Sequence, residues 1–408
     1  MKRWLTLLSL VVAGEAIFTL PFHVSRFFRA TFLDVFGLTN LELGTLGSAY
    51  GVVAMASYLL GGGLADRFSA RKLLSVSLVA TALGGLYLFT IPSYAGLLCL
   101  FGAWGLTTIL AFWAALIRAT REWGGESEQG RAFGLLDGGR GFWAAALASI
   151  AVVVFSAFFP DRVMALKMVI ALYTASCFSA AVVVWLWVPD TDPQEPDANE
   201  DRDAAKSRLK QVLSLPSVWF VAMIIVCAYC GYKATDDYTL YAVEAYGMTE
   251  VQAARLGAVN AWLRPVAAIS AGLLADRLTA SRTVGACFVV LVTGFLSFTL
   301  SSPDATTTWV LWLNVMITGA AVYALRGVYF AMLEEMAIPA EVTGTAVGVI
   351  SFVGYTPDIF IPPLAGWLID RSPGATGHQH FFAVIGGFCL IGLLATWSCQ
   401  ALSQRAKA

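Results

Sequence analysis

Charge is what this chain has least of: 13 % of its residues are Asp, Glu, Lys or Arg, against about 25 % in a soluble domain. Histidine is scarcer still, with three in 408 residues. The seven cysteines, at 99, 177, 227, 230, 287, 389 and 399, all lie in apolar stretches, so no disulfide framework is indicated. Cys227 and Cys230 form a CxxC, and within an apolar helix that spacing reads as packing rather than redox chemistry. There is no nucleotide-binding glycine loop, no HExxH and no convincing nucleophile–base pair, which argues against an enzyme. His378 and His380 make an HxH expected on an outer loop, and two ligands alone make a poor metal site.

Long apolar runs are abundant. Hydrophobic residues make up 58 % of the chain and the mean hydropathy is +0.72, which defines an integral membrane protein. A span needs about 20 mostly apolar residues to cross about 30 Å of hydrocarbon as a helix. Twelve segments qualify, near residues 4–30, 43–64, 71–91, 94–118, 130–158, 163–188, 216–241, 252–274, 282–301, 308–333, 344–369 and 380–401. Runs such as Ile150 to Phe159 lack strict alternation, so they read as helix rather than barrel strand. The first run begins at Lys2 and Arg3 but is too long for a signal peptide and lacks a small-residue cleavage site; it is expected to be retained.

Leu46–Lys72 recurs as Leu256–Arg282 at a constant offset of 210 residues. Leu46, Gly47, Gly62, Leu64, Ala65, Asp66, Arg67 and Ala70 meet identical residues at Leu256, Gly257, Gly272, Leu274, Ala275, Asp276, Arg277 and Ala280. The same offset lays Gly37 and Thr39 on Gly247 and Thr249, and His23 on Lys233. A repeat of half the chain means two related bundles, expected at 1–188 and 216–408 and joined by a solvated linker at 189–215. The stretch from Pro189 to Gln211 is charged and proline-containing, with Leu209 as its one large apolar residue after the opening proline. With both termini and the linker on one side, that side collects most of the lysines and arginines, while the other keeps Arg29, Arg162, Lys167, Arg255 and Arg371. The positive-inside rule makes the first side cytoplasmic, in a multi-pass protein of the cytoplasmic (inner) membrane.

Asp66 and Arg67 follow the second span and Asp276 and Arg277 the eighth, each on a short loop with a basic cluster behind it, Arg71 and Lys72 or Arg282. Carboxylates there can pair with arginine or cap a neighbouring helix, in contacts able to break and reform, so Asp66, Arg67, Arg71, Asp276 and Arg277 are candidates for a cytoplasmic gate. Gly130, Ala132 and Gly134 correspond to Gly344, Ala346 and Gly348 at an offset of 214, and such small residues are expected to let the fifth and eleventh helices pack closely on neighbours.

GGLADRFSARK resembles the signature of the major facilitator superfamily between helices 2 and 3, and GLLADRLTASR its degenerate copy between helices 8 and 9. The resemblance extends over essentially the whole chain and departs at Ser69 and Ala70, where the signature has glycine and a basic residue. ALRGVYFAMLEE with GTAVGVISFVGYTPDIFIPPLAGWLID is similar to a bacterial subgroup loosely described as sugar-phosphate or organic-anion permeases. The resemblance implies two pseudo-symmetric six-helix bundles, all α, with a site near the midplane.

Ionisable groups inside the hydrocarbon are costly and mark sites. The first span carries Glu15, His23, Arg26 and Arg29, and the seventh carries Lys233, Asp236 and Asp237 at matching depths. Arg29 is expected at the outer end, where a long side chain snorkels to water; Arg26 is open between that role and the site. Asp137 and Arg140 stand at i and i+3, either a structural pair or a substrate clamp. Arg264, before Pro265, and Arg326, before Gly327, have no acid one turn away. Arg326 lies mid-helix, and its planar fork of donors suits a carboxylate or phosphate. The expected substrate-binding set is therefore Arg326, Lys233, Arg26, His23, Asp236, Asp237, Arg264, Arg140, Tyr232 and Tyr355. Glu15, Asp137 and Asp358 are the expected proton-coupling acids. Tyr50, Trp113, Trp143, Tyr229, Trp262 and Tyr323 add an aromatic wall. The expected function is secondary transport of a small organic anion or zwitterion by alternating access, proton-coupled; the alternative is a receptor of the same fold that binds solute without turnover. The expected partners are the solute, membrane lipid and a proton or other co-ion, with no nucleic acid, cofactor or metal, in a monomer.

Overall fold

The computed structural model describes residues 2–125, 128–190, 202–336, 338 and 342–407, with the backbone alone at 59–60, 62–63, 65–66, 130, 202–205, 305, 334 and 402–407. Its regular structure, among those residues, is entirely helical. Twelve long helices follow one another: α1 (Lys2–Phe27), α2 (Asn40–Arg67), α3 (Ala70–Phe89), α4 (Tyr94–Gly124), α5 (Gln129–Phe158), α6 (Arg162–Trp187), α7 (Pro216–Ala234), α8 (Glu250–Arg277), α9 (Ala280–Leu300), α10 (Thr308–Ala331), α11 (Thr343–Arg371) and α12 (Ala375–Lys407). Among the described residues, eleven are long and apolar enough to cross a membrane; α2, with 28 residues, is the other long one. The charged segment after α6 is not all irregular, since Arg202–Ser214 is helical. Its residues 191–201 lie outside the described part of the chain.

Four of the residues shared at the 210-residue offset, Gly37, Thr39, Gly247 and Thr249, are backbone devices. Gly37 and Gly247 hold left-handed φ of 62° and 65°, a conformation that costs a residue with a Cβ. Thr39 then caps α2, accepting from Glu42 N at 3.1 Å while Glu42 accepts from Thr39 N at 2.8 Å. Thr249 and Gln252 repeat the exchange before α8 at 3.3 and 2.9 Å. Ser69 caps α3 and Thr279 caps α9 by accepting from the backbone N–H of Lys72 and Arg282, without a return bond.

Several helices are interrupted. α1 widens into a π-turn over Thr19–His23, where Pro21 supplies no N–H to the ladder, and breaks again at Phe28 before a short helix, Arg29–Phe36. α4 has a second π-turn at Leu106–Leu110. After α7 a turn at Thr235–Asp237 precedes a further helix, Tyr238–Tyr246. α10 tightens into a 3-10 turn at Tyr329–Ala331, and α11 is broken at Tyr355 and Thr356, ahead of Pro357.

The chain forms two compact units, Met1–Pro196 with Asp236–Trp262 and Asp197–Thr235 with Leu263–Ala408. In the first, α3 packs along α6 and α2 along α4, around buried residues that include Trp104, Phe112, Phe155 and Tyr173. Gly105 lets α4 approach α2: a Cβ there would stand 2.7 Å from the Tyr50 carbonyl oxygen. In the second, α12 lies against α9 and α7.

Three expectations are corrected. A Cβ added at Gly134, Gly344 or Gly348 would meet nothing within 4 Å, so these glycines do not mark close helix contacts; the alanines between them, Ala132 and Ala346, are the buried members. His378 and His380 lie on α12 rather than in a loop, with His378 fully buried. Arg29 does not snorkel: it is 7 % exposed and held by partners on three sides.

Candidate functional site

The intramembrane charges sort into three groups. In the first unit, Glu15 on α1 is shared by two bases. Arg140 of α5 reaches it at 3.5 Å and His23 Nε2 at 3.4 Å. Arg140 also donates to the Gly14 carbonyl at 2.9 Å, and Asp137 lies 3.8 Å away. The absence of a side chain at Gly14 makes room for this: a Cβ would sit 3.0 Å from Arg140 Cδ. The guanidinium lies over Trp113 and Phe18, at 5.4 and 5.7 Å from their ring centroids. Glu15 and His23 are buried, whereas Asp137 is largely exposed. The π-turn of α1 places His23 one step beyond its helical register, within reach of the glutamate two turns earlier.

In the second unit, Tyr229, Tyr232 and Lys233 stand at i, i+3 and i+4 on α7, a spacing that puts them on one face. Arg326 of α10 lies over Tyr232 at 4.0 Å and over Tyr229 at 5.7 Å. Among the described residues no carboxylate lies within ion-pair distance of it. Gly327, next in sequence, seats α10 directly on α8, where a Cβ would approach the Ala268 backbone to 3.2 Å. Asp358, in the first turn after the break in α11, binds Lys233 at 3.4 Å and accepts from the Tyr229 hydroxyl at 3.0 Å. Tyr355 stacks edge-on against Tyr229, and its hydroxyl meets that of Tyr329 at 3.4 Å. The anionic end of this set is thus answered by Lys233, and the Arg326 fork faces tyrosine rings.

The third group contains Arg26, Asp236 and Asp237. Arg26 donates to Asp236. Arg29 donates to Asp237 at 3.1 Å, to the Asp236 carbonyl at 3.3 Å and to Asn40 at 2.9 Å. Glu250 accepts from Thr31 and from Arg162, the latter at 2.6 Å, and Arg162 reaches Asp34 at 3.0 Å. Thr239 closes the set on the Arg26 carbonyl at 2.8 Å. All these residues belong to the first unit. Asn40, Arg162 and Glu250 were not singled out from the sequence: each lies at a helix start, where a polar residue is unremarkable. Arg264 is half-buried on α8.

The repeated acids and arginines lie not on the loops, as expected, but in the last turns of α2 and α8, just before those loops; Arg67, Asp276 and Arg277 are exposed, and the side chain of Asp66 lies outside the described residues. The carboxylates that engage these loops come from elsewhere. Asp190 bonds Ser69 and lies 3.8 and 3.9 Å from Arg71 and Lys72, interactions that hold its carboxyl below the usual carboxylate range, Ser69 contributing most. In the other half Glu335 accepts from the backbone N–H groups of Ala280 and Ser281, the latter at 3.1 Å, capping α9. Among the described residues no group of three or more His, Cys, Asp or Glu could hold a metal ion.

The chain matches the model of the Major Facilitator Superfamily over residues 11–362. It is 29 % identical to "Inner membrane protein YqcE" of Escherichia coli (strain K12), over 97 % of this chain and 94 % of that one. With "Inner membrane protein YihN" of the same organism it shares 26 % identity, over 100 % and 97 %. Among solved structures, a bacterial homologue of the human lysosomal transporter Spinster superimposes with a TM-score of 0.78 at 15 % identity, covering 99 % of this chain and 98 % of the other. A mutant of the nucleoside transporter NupG gives 0.77 at 12 % identity, with 98 % and 100 % covered. The chain belongs to the major facilitator superfamily, and the fold that the sequence led us to expect, all-α with spans in the manner of that family, is the fold observed. It is a multi-pass membrane transporter by family.

Proposed function

We propose that the protein carries a small organic anion or zwitterion across the inner membrane by alternating access, with Arg326 gripping the anionic group of the solute. The observation that carries this reading is the guanidinium lodged against the faces of Tyr232 and Tyr229 without a carboxylate among the described residues. Ring faces attract the cation but offer no in-plane acceptors, so the N–H edges suit a carboxylate or phosphate bidentately. Tyr232 and Tyr355 form the wall of the same site, with Lys233 as a second cation. Asp358 is the acid whose protonation would release Lys233 to the solute. Glu15, shared between Arg140 and His23, is the second coupling acid, with Asp137 at its edge. Arg67, Arg71, Asp276 and Arg277 belong to the gate on the side of the termini, which we place in the cytoplasm. Asp66, whose side chain is not described, is assigned there by its place in the repeat.

Proteoliposomes test the reading. Wild-type protein should exchange labelled solute in counterflow, an outcome that a receptor without turnover does not give. Arg326→Ala should eliminate both binding and exchange while the protein still inserts and unfolds cooperatively; normal exchange by this variant refutes the assignment. Glu15→Gln should remove proton-driven accumulation and spare exchange, whereas undiminished accumulation rules out its coupling role.

A further inference from the structure

A cavity of about 660 Å³ opens in the first unit beside the start of α1. Lys2, Arg3 and Arg71 line it, together with Glu122, Trp123 and Trp187. Its walls are tied together. The Trp123 indole donates to the Arg3 carbonyl at 2.6 Å, Arg3 donates to the Trp123 carbonyl at 3.1 Å, and Thr6 donates to the Trp187 carbonyl at 2.8 Å. The start of α1, the start of α3 and the ends of α4 and α6 therefore meet here.

Charge at this corner is out of balance. Among the described residues the three carboxylates Glu122, Glu128 and Asp190 answer six bases: Arg118 on Glu122, Arg3 and Arg131 on Glu128, Arg71 and Lys72 on Asp190, and Lys2. The Arg71 contact is long, at 3.8 Å, and its Nε is buried with no hydrogen-bond partner. Beside the cavity the surface is strongly apolar: Trp4, Leu8, Trp185, Leu186 and Trp187 are all exposed, a belt of the kind that sits at a headgroup boundary. A ligand that fits must carry an anion for the bases and alkyl chains for the belt.

We propose that this cavity holds the phosphate headgroup of an anionic phospholipid, with the acyl chains laid along the flank formed by Trp185, Leu186 and Trp187. Basic pockets between spans at the membrane surface are suited to such headgroups. The lipid phosphate bridges Lys2 and Arg71, and so braces α1 against α3 next to the repeated loop.

Delipidated protein, mixed in turn with phosphatidylglycerol, phosphatidylcholine and glycerol 3-phosphate, tests this by native mass spectrometry and thermal unfolding. Phosphatidylglycerol should remain bound and raise the melting temperature, and each lost base should lower its affinity about fivefold, in Lys2→Gln and further in Lys2→Gln with Arg71→Gln. Lys2→Gln alone decides the matter if the double variant does not fold, because the exposed Lys2 side chain makes no hydrogen bond or ion pair among the described residues. Equal retention of phosphatidylcholine would mean that only the chains are read, and an equal effect of glycerol 3-phosphate that Lys2→Gln removes would mean a free-anion site in this cavity; either overturns the proposal, as does unchanged phosphatidylglycerol affinity in Lys2→Gln.

Discussion

Arg140 and Arg326 are both arginines inside long apolar helices, one in each half of the chain, and both lie over aromatic rings. Arg140 is answered by a carboxylate, a carbonyl and a second, outlying acid. Arg326 has tyrosine faces. A buried ion pair whose partners satisfy each other holds structure together, whereas a guanidinium against rings retains donors for something that comes and goes. The two halves thus share caps, turns and helix order; on the function proposed above they divide the polar work, and the comparison can be broken at either arginine. The largest effect is expected at Arg140. Its replacement by Gln puts a neutral group in place of one of the two bases on buried Glu15 and should cost about 3–5 kcal/mol of stability, seen as a fall in melting temperature. Adding Glu15→Gln should recover much of it, and a failure to recover would mean that Arg140 acts through packing alone.

Arg326→Gln comes next and should read out differently. Truncating one partner of a buried charge contact costs about 2–5 kcal/mol of binding, which in counterflow is a loss of about 30-fold or more, while the melting temperature without solute stays near that of wild type. Equal behaviour of the two variants in both assays would erase the distinction between structural and binding arginine.

Much of this division was legible in the sequence. The apolar runs gave the helices, and the constant 210-residue offset aligned residues that the structure reveals as glycine turns and capping threonines. Arg326 stands out in the sequence because it lies mid-helix with no acid one turn away, and Lys233 because it is a charge inside the seventh span. What could not be read is which helix answers which charge. Arg29 looked like a surface residue because its partners Asn40 and Asp237 lie 11 and 208 positions away. The break after α7 falls at Thr235–Asp237, a stretch with neither proline nor glycine to announce it. The loop carboxylates were sought in the motif itself, at Asp66 and Asp276, yet those seen to engage the loops are Asp190 and Glu335, which no repeat marks.

A smaller effect sharpens the role of the rings. A cation over a ring face is worth about 0.5–2 kcal/mol, so Tyr232→Leu should weaken solute binding about 2- to 30-fold. Tyr232→Phe keeps the face and should bind nearly as well as wild type. A loss in Tyr232→Phe as large as in Tyr232→Leu would place the interaction at the hydroxyl instead.

The smallest effect concerns the loops, where the halves use different acids for one task. Glu335 caps a helix through backbone N–H groups, in part-buried surroundings, and Asp190 works in the open through Ser69 and two bases. Because the folded-state pKa of Asp190 is lowered, its contribution is fully present above the unfolded value of about 3.9 and disappears as pH falls through the folded value. Asp190→Asn should therefore lower the melting temperature slightly and by the same amount throughout the neutral range, and the variant should converge with wild type in acid below that range. Solvent and salt screen an exposed pair, so the shift should shrink at high salt, whereas that of Glu335→Gln should persist because its acceptors are bound to the helix end itself. If both variants responded alike to salt, the two loops would be held by the same kind of force, and the asymmetry between the halves would stop at the arginines.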